Sequence, residues 1–213
     1  MRIRSYSRPV ITQQQLDDLW DFTDAAASEA RLRAAADAAA VPERDEYLTQ
    51  VARSLGLQDR FDEAAVVLAS ISSDDGAVKT RVALERGRIA NSAGRRDEAV
   101  LDFRTAAELA VGHGLDFLRI DALHMLAIAD VDHESEWTAQ AVELADASPD
   151  PRTRRWLISL HNNQGWTLYD AGRREAAIAE FELTLQLAEE IGTPTQQQYA
   201  REALTEARGT QAG

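Results

Sequence analysis

Apolar residues recur three and four positions apart along most of this chain, the spacing that puts side chains on one face of an α-helix. The clearest run is Ile158 to Leu187, which predicts two antiparallel helices joined at Ala171-Gly172-Arg173. The first helix presents Leu160, Gly165 and Leu168; the second presents Ala177, Ile178, Phe181, Leu185 and Leu187. Gly165 lets the partner helix pack on bare backbone, and Gly172 supplies the φ > 0 that stops the first helix. Ala177 is small where the helices cross and Phe181 fills the space beside it, so small and large residues alternate as close packing requires.

The rest of the chain divides in the same way. Residues 1–11 carry no periodicity and read as a loosely ordered arm. Residues 12–41 read as an N-terminal helical cap: Leu16, Leu19 and Trp20 in one short helix, then an alanine-dominated helix with Leu32 as its one large apolar side chain. Thr23 or Asp24 is placed to cap that second helix. A helix from about Glu43 to Leu55 carries Leu48, Val51, Ala52 and Leu55, with Gly56 as its stop and a partner beginning at Phe61. The next pair holds Gly87, Gly94, Ala99 and Phe103 at the same mutual spacings as Gly165, Gly172, Ala177 and Phe181. A third, degenerate pair puts Leu126 where the packing glycine would stand. Thr195 to Arg208 has one narrow apolar stripe, from Tyr199 to Ala207, and a wet opposite face, as a terminal helix needs.

The Gly–Gly–Ala–Phe spacing, found twice, resembles the tetratricopeptide repeat (TPR). So does the 35-residue step between Asp62-Glu63-Ala64 and Asp97-Glu98-Ala99, close to that family's repeat length. The resemblance covers residues 43–190, with 194–209 as a C-terminal capping helix. It implies an all-α fold, a right-handed α-α superhelix of about four helix pairs with a capping helix at each end. It also implies a stand-alone, non-enzymatic scaffold that binds a partner peptide or protein in a concave groove lined by the first helix of each pair.

Composition narrows the chemistry. The 213 residues suffice for a sizeable core or a short solenoid, and a 45% hydrophobic content built largely on alanine favours packed helices. A net charge of −13 speaks against general binding to nucleic acid or to an anionic membrane surface. There is no cysteine, so no disulfide, thiolate metal site or cysteine nucleophile, in keeping with a cytoplasmic location. The N-terminus lacks the apolar run of a secretory signal, and no stretch approaches the ~20 apolar residues of a membrane span. No HExxH, GxSxG or phosphate-binding glycine loop occurs, so no catalytic residue, cofactor or metal is expected. Asp130, Asp132, Glu134 and Glu136 alternate, but Ser135 and Ala141 stand where a calcium loop needs glycine and glutamate, so a solvated turn is expected.

The TPR resemblance places Glu46, Thr49, Gln50 and Arg53 on the groove side of the first pair. It places Arg81, Glu85, Arg88 and Asn91 on the second, His124 on the third, and Asn162, Asn163, Trp166 and Tyr169 on the fourth. Arg53, Arg81 and Arg88 then form a basic stripe in an acidic protein, suited to an acidic peptide or chain terminus. The same arginines are also placed to pair with Glu46 and Glu85. Trp166 and Tyr169 read either as groove aromatics or as core. The family's two-carboxylate clamp is not matched, since Thr49 and Gly56 stand where polar grips are wanted. Two other readings remain: a homo-oligomer, such as a homodimer, packed through Trp20 and Phe22, and a small-molecule sensor with a pocket near Trp166 and His124.

Overall fold

The computed structural model describes residues 11–209. Five helices among the described residues begin at a residue whose side chain accepts from the orphan N–H groups of the first turn. Thr12 and Thr193 each close a capping box, with Gln15 and Gln196 respectively. Asp24 accepts from Ala27, and Asp75 from Ala77 and Val78. The resulting helices are α1 (Gln13–Leu19), α2 (Ala25–Ala38), α3 (Glu43–Gly56), α4 (Phe61–Ala69), α5 (Gly76–Ser92), α6 (Arg96–His113) and α7 (Asp116–Ala129). After a 3-10 turn at Val131–His133 come α8 (Glu134–Asp146), α9 (Pro151–Arg154), α10 (Trp156–Asp170), α11 (Arg174–Ile191) and α12 (Pro194–Arg208). There is no strand among the described residues. Helices adjacent in sequence pack together in pairs such as α2–α3, α5–α6 and α10–α11.

The chain divides into two compact units, the first ending at Glu134 and the second starting at Ser135. In the first unit α3 packs on α2, α4 and α5, and α5 packs on α6 and α7. Thus α3, α5 and α7 form one layer. Two hairpins, one in each unit, are built alike. In α5–α6, Gly87 faces the Phe103 ring so closely that a Cβ would fall 2.5 Å from Cε1; in α10–α11 the same holds for Gly165 and Phe181 at 2.5 Å. Both rings are fully buried, as are Ala99 and Ala177. Gly94 and Gly172 take φ of 76° and 73° at the two reversals. Each is followed by a matching bond, Arg95 N–H to Ala90 O (2.8 Å) and Arg173 N–H to Leu168 O (2.9 Å). In the second unit α11 also packs on α12, which buries Ala200, Ala203, Leu204 and Ala207. Arg174 Nε donates to Ala207 O at 2.8 Å and ties down the end of α12.

Several local expectations need correction. The arm expected over residues 1–11 lies outside the described residues except for Ile11, and Ile11 is buried, held among Leu16, Leu32 and Tyr47. Gly56 is the last residue of α3, where the spacing puts the stop, and it is Asp59, three residues on, that takes a positive φ (59°). Aspartate tolerates that region because its short polar side chain bonds locally. Tyr199 is exposed, not part of the α12 stripe, which runs at i, i+3, i+4, i+7 from Ala200. Phe22 is also exposed, so Trp20 alone of that pair is drawn towards the core.

Candidate binding face

The α3–α5–α7 layer gathers charged side chains that few globular cores would hold. Glu46, on α3, is fully buried. Its Oε1 accepts from Arg81 Nε of α5 at 3.0 Å and its Oε2 from the Ile11 backbone N–H at 3.1 Å. One turn further along α5, Glu85 is buried and accepts from Arg88 Nη1. Arg88 Nη2 reaches α7 and donates to Asp121 Oδ1 at 2.5 Å. These are charge-assisted contacts within and between adjacent helices of the layer, the condition under which buried charge is tolerated.

The electrostatics follow from this pairing. Burial would push the Asp121 carboxyl up, but Arg88 and Arg53 outweigh it and hold the group below the ordinary carboxylate range. Burial likewise works against the Arg88 charge, yet Asp121 and Glu85 leave it above its ordinary value. His124, on the same face of α7, is pushed down, first by burial and then by Arg88 and Arg53, against the pull of Asp121.

Arg53 differs from the other two arginines. Burial and the nearby Arg88 both lower its pKa, with Glu85 and Asp121 partly opposing them. Its guanidinium lies over the Phe22 ring, 5.7 Å from the centroid, a cation–π arrangement. Among the described residues it makes no ion pair or hydrogen bond. It lines a cleft of about 200 Å³ where the three helices approach their C-terminal ends. The lining of the cleft includes Gly56 and Leu57 of the α3 end, Glu85, Arg88, Asn91 and Ser92 of α5, and Met125 of α7.

The layer thus brings together Arg53, Arg81, Glu85, Arg88 and His124 in the first unit. Arg81 and Arg88 have the geometry of the pairing alternative, with Glu46 and Glu85 as partners. Asp121 is a member of this network that the sequence reading does not single out. The available signal was its spacing, three residues before His124 and so on the same face of α7. Asn162, Asn163, Trp166 and Tyr169 belong to α10 in the second unit. Asn163 is exposed and Asn162 part-buried. Trp166 packs edge-on against Phe181 (4.9 Å) and Tyr169 (5.6 Å), so its ring extends the core of that unit. His161 bonds Glu180 through Nδ1 at 2.8 Å. The acidic stretch after α7 is a 3-10 turn in which Asp130 accepts from Arg104 and contacts His133. Among the described residues no three His, Asp or Glu side chains are grouped to hold a metal ion. No helix there is long and apolar enough to cross a membrane.

No protein-family model matches the chain. The comparison with curated proteins gives no match. Among solved structures, the chain is similar to the crystal structure of BtubC (BKLC) from P. vanneervenii. The TM-score is 0.59 at 17% identity, over 93% of this chain and 85% of that one. At that identity the likeness concerns the fold alone.

Proposed function

We propose that the chain is a TPR-like helical-repeat scaffold, a right-handed α-α superhelix with a capping helix at each end, that binds a partner protein or peptide on the α3–α5–α7 face. The partner presents an acidic group to Arg53. What supports the repeat architecture is the doubly built Gly–Phe hairpin and the fold likeness to another helical protein. The observation that carries the binding reading is Arg53 itself. A guanidinium in a cleft, beside a second guanidinium and without a carboxylate of its own, gains most from an incoming anion. Arg81 and Arg88 have their counter-charges and set the local field and shape. The rest of the face is pre-formed by buried ion pairs, so little ordering opposes binding. In this reading the protein carries out no chemistry and needs no cofactor.

The test is a peptide array that varies acidic content, probed with the intact chain, followed by anisotropy titrations of the best peptides. Acidic peptides should be retained, and Arg53→Gln should weaken them about 10- to 100-fold, the worth of a charge-assisted hydrogen bond. Binding that ignores both peptide charge and Arg53 would remove this reading.

A further inference from the structure

The groove side of α3 already has an occupant, and it is the chain's own N-terminal segment. Glu46, Gln50 and Arg53 lie four and three residues apart and so form one stripe along α3. Each is engaged by residues 11–22. The Ile11 backbone N–H donates to Glu46 Oε2 at 3.1 Å. The Trp20 indole N–H donates to Gln50 Oε1 at 3.1 Å. The Phe22 ring lies under Arg53 and stacks on Trp20, centroids 4.8 Å apart and planes within 5°. Between these contacts Ile11 and Leu16 are fully buried, while Thr12, Gln14, Asp17 and Asp18 face out.

This is how a docked peptide is held: main-chain N–H to a fixed acceptor, apolar anchors on one side of a short helix, and an aromatic whose polar atom is satisfied. The segment also has local structure of its own. Its seven-residue helix α1 closes its own first turn through the Thr12–Gln15 capping box. On α3 it uses one backbone N–H, an indole N–H and an aromatic ring, groups that another amphipathic segment can present. Its end is bonded to α2, where Arg31 Nε donates to Leu19 O at 2.9 Å and the Asp21 N–H donates to Ser28 Oγ at 2.8 Å.

We propose that residues 11–22 are an exchangeable occupant of the α3 face, and that the external partner there is an amphipathic helical segment. That segment carries two aliphatic anchors and a tryptophan-like N–H donor, and it displaces the chain's own. The proposal rests on reading the α3–α5–α7 face as a binding surface, and adds that access to it is controlled from within the chain. Occupied by its own segment, the face is closed along Glu46 and Gln50 and open only at the Arg53 cleft.

The probe is a fluorescein-labelled peptide of residues 9–24, titrated against the full-length chain and its full-length Leu16→Asp variant. A carboxylate at a fully buried apolar anchor releases the segment from the face. The labelled peptide should bind Leu16→Asp at least 10-fold more tightly than the wild type, whose face is filled. A Leu16→Asp chain that melts cooperatively with wild-type helicity and does not bind the peptide overturns the proposal. Hydrogen exchange on the unmodified chain supplies a reading that needs no variant. The amides of residues 13–20 should exchange by local opening, at least 10-fold faster than those of the α3 centre. Exchange of both only through global unfolding makes the segment a fixed part of the core and overturns the proposal. Peptide-array binding that depends on Arg53, together with either negative result, removes the exchangeable segment and leaves the binding face standing.

Discussion

Gly87→Ala is a substitution whose sign the structure decides. Alanine in a helix interior is worth roughly 0.5–1 kcal/mol over glycine, so helix propensity alone predicts a more stable protein. Against this, a Cβ on Gly87 would lie 2.5 Å from Phe103 Cε1, 2.6 Å from Cδ1 and 3.0 Å from Cζ. Carbon atoms pack best at about 3.5–4.0 Å, so the overlap is roughly 1 Å. Phe103 is fully buried, so the ring cannot yield without moving the α5–α6 crossing. Overpacking of this kind costs about 1–3 kcal/mol. The net expectation is a loss of about 1–2 kcal/mol, a fall in melting temperature of roughly 3–10 °C for a unit of this size. Gly112→Ala is the internal control. Gly112 lies in the last turn of α6 in the same unit, with nothing within 4 Å of its would-be Cβ, and should gain up to about 1 kcal/mol. Urea unfolding followed by circular dichroism reads both. A Phe103→Leu background, with a smaller and more mobile side chain opposite, should reduce the Gly87→Ala penalty by about 1 kcal/mol. If Gly87→Ala stabilises as Gly112→Ala does, close approach is not what glycine provides at this crossing, and the packing argument fails for Gly165 as well.

Two further predictions concern the charged face. Glu46→Gln leaves Arg81 as a buried cation without its counter-charge and should cost about 3–5 kcal/mol. Glu46→Gln/Arg81→Met, which removes both charges, should recover most of that in urea unfolding; equal losses in single and double variants would contradict the ion-pair account. Acid should weaken the fold in two stages. The folded pKa of His124 is depressed, so below its unfolded value of about 6.5 the unfolded chain takes up a proton that the folded chain resists, and stability falls with pH from there. Asp121, also depressed, contributes stability above an unfolded value of about 3.9 that is lost as pH falls through its lower folded value. The urea midpoint measured between about pH 8 and pH 4 should drop below about 6.5 in the wild type, and His124→Asn should flatten that first drop.

Helix placement was legible because it depends on local properties: apolar spacing, Thr and Asp caps, and glycines at reversals. The Gly–Gly–Ala–Phe register even gave the contact partners in two hairpins, because a missing side chain and a large ring sixteen residues on have one way to meet. Asp59 shows the limit. Gly56 is where α3 stops, as its position predicts, but the residue with φ > 0 lies three further on, and only the backbone reveals which position needs it. The candidate face was legible as a group of residue types and not as a network. Arg81 and Arg88 could as well have been free as paired, since the choice depends on Glu46 and Asp121 from other helices, 35 and 33 residues away.

By itself the sequence determined the all-helical class, the helix pairs and their close crossings, because these follow from periodicity and from side-chain size at fixed spacing. Only the tertiary structure decided which arginine keeps an open face, that Trp166 leans into a core, and that residues 11–22 lie along α3. These depend on which distant groups come within about 3 Å of each other, where hydrogen bonds and desolvation act, and no local pattern encodes that distance.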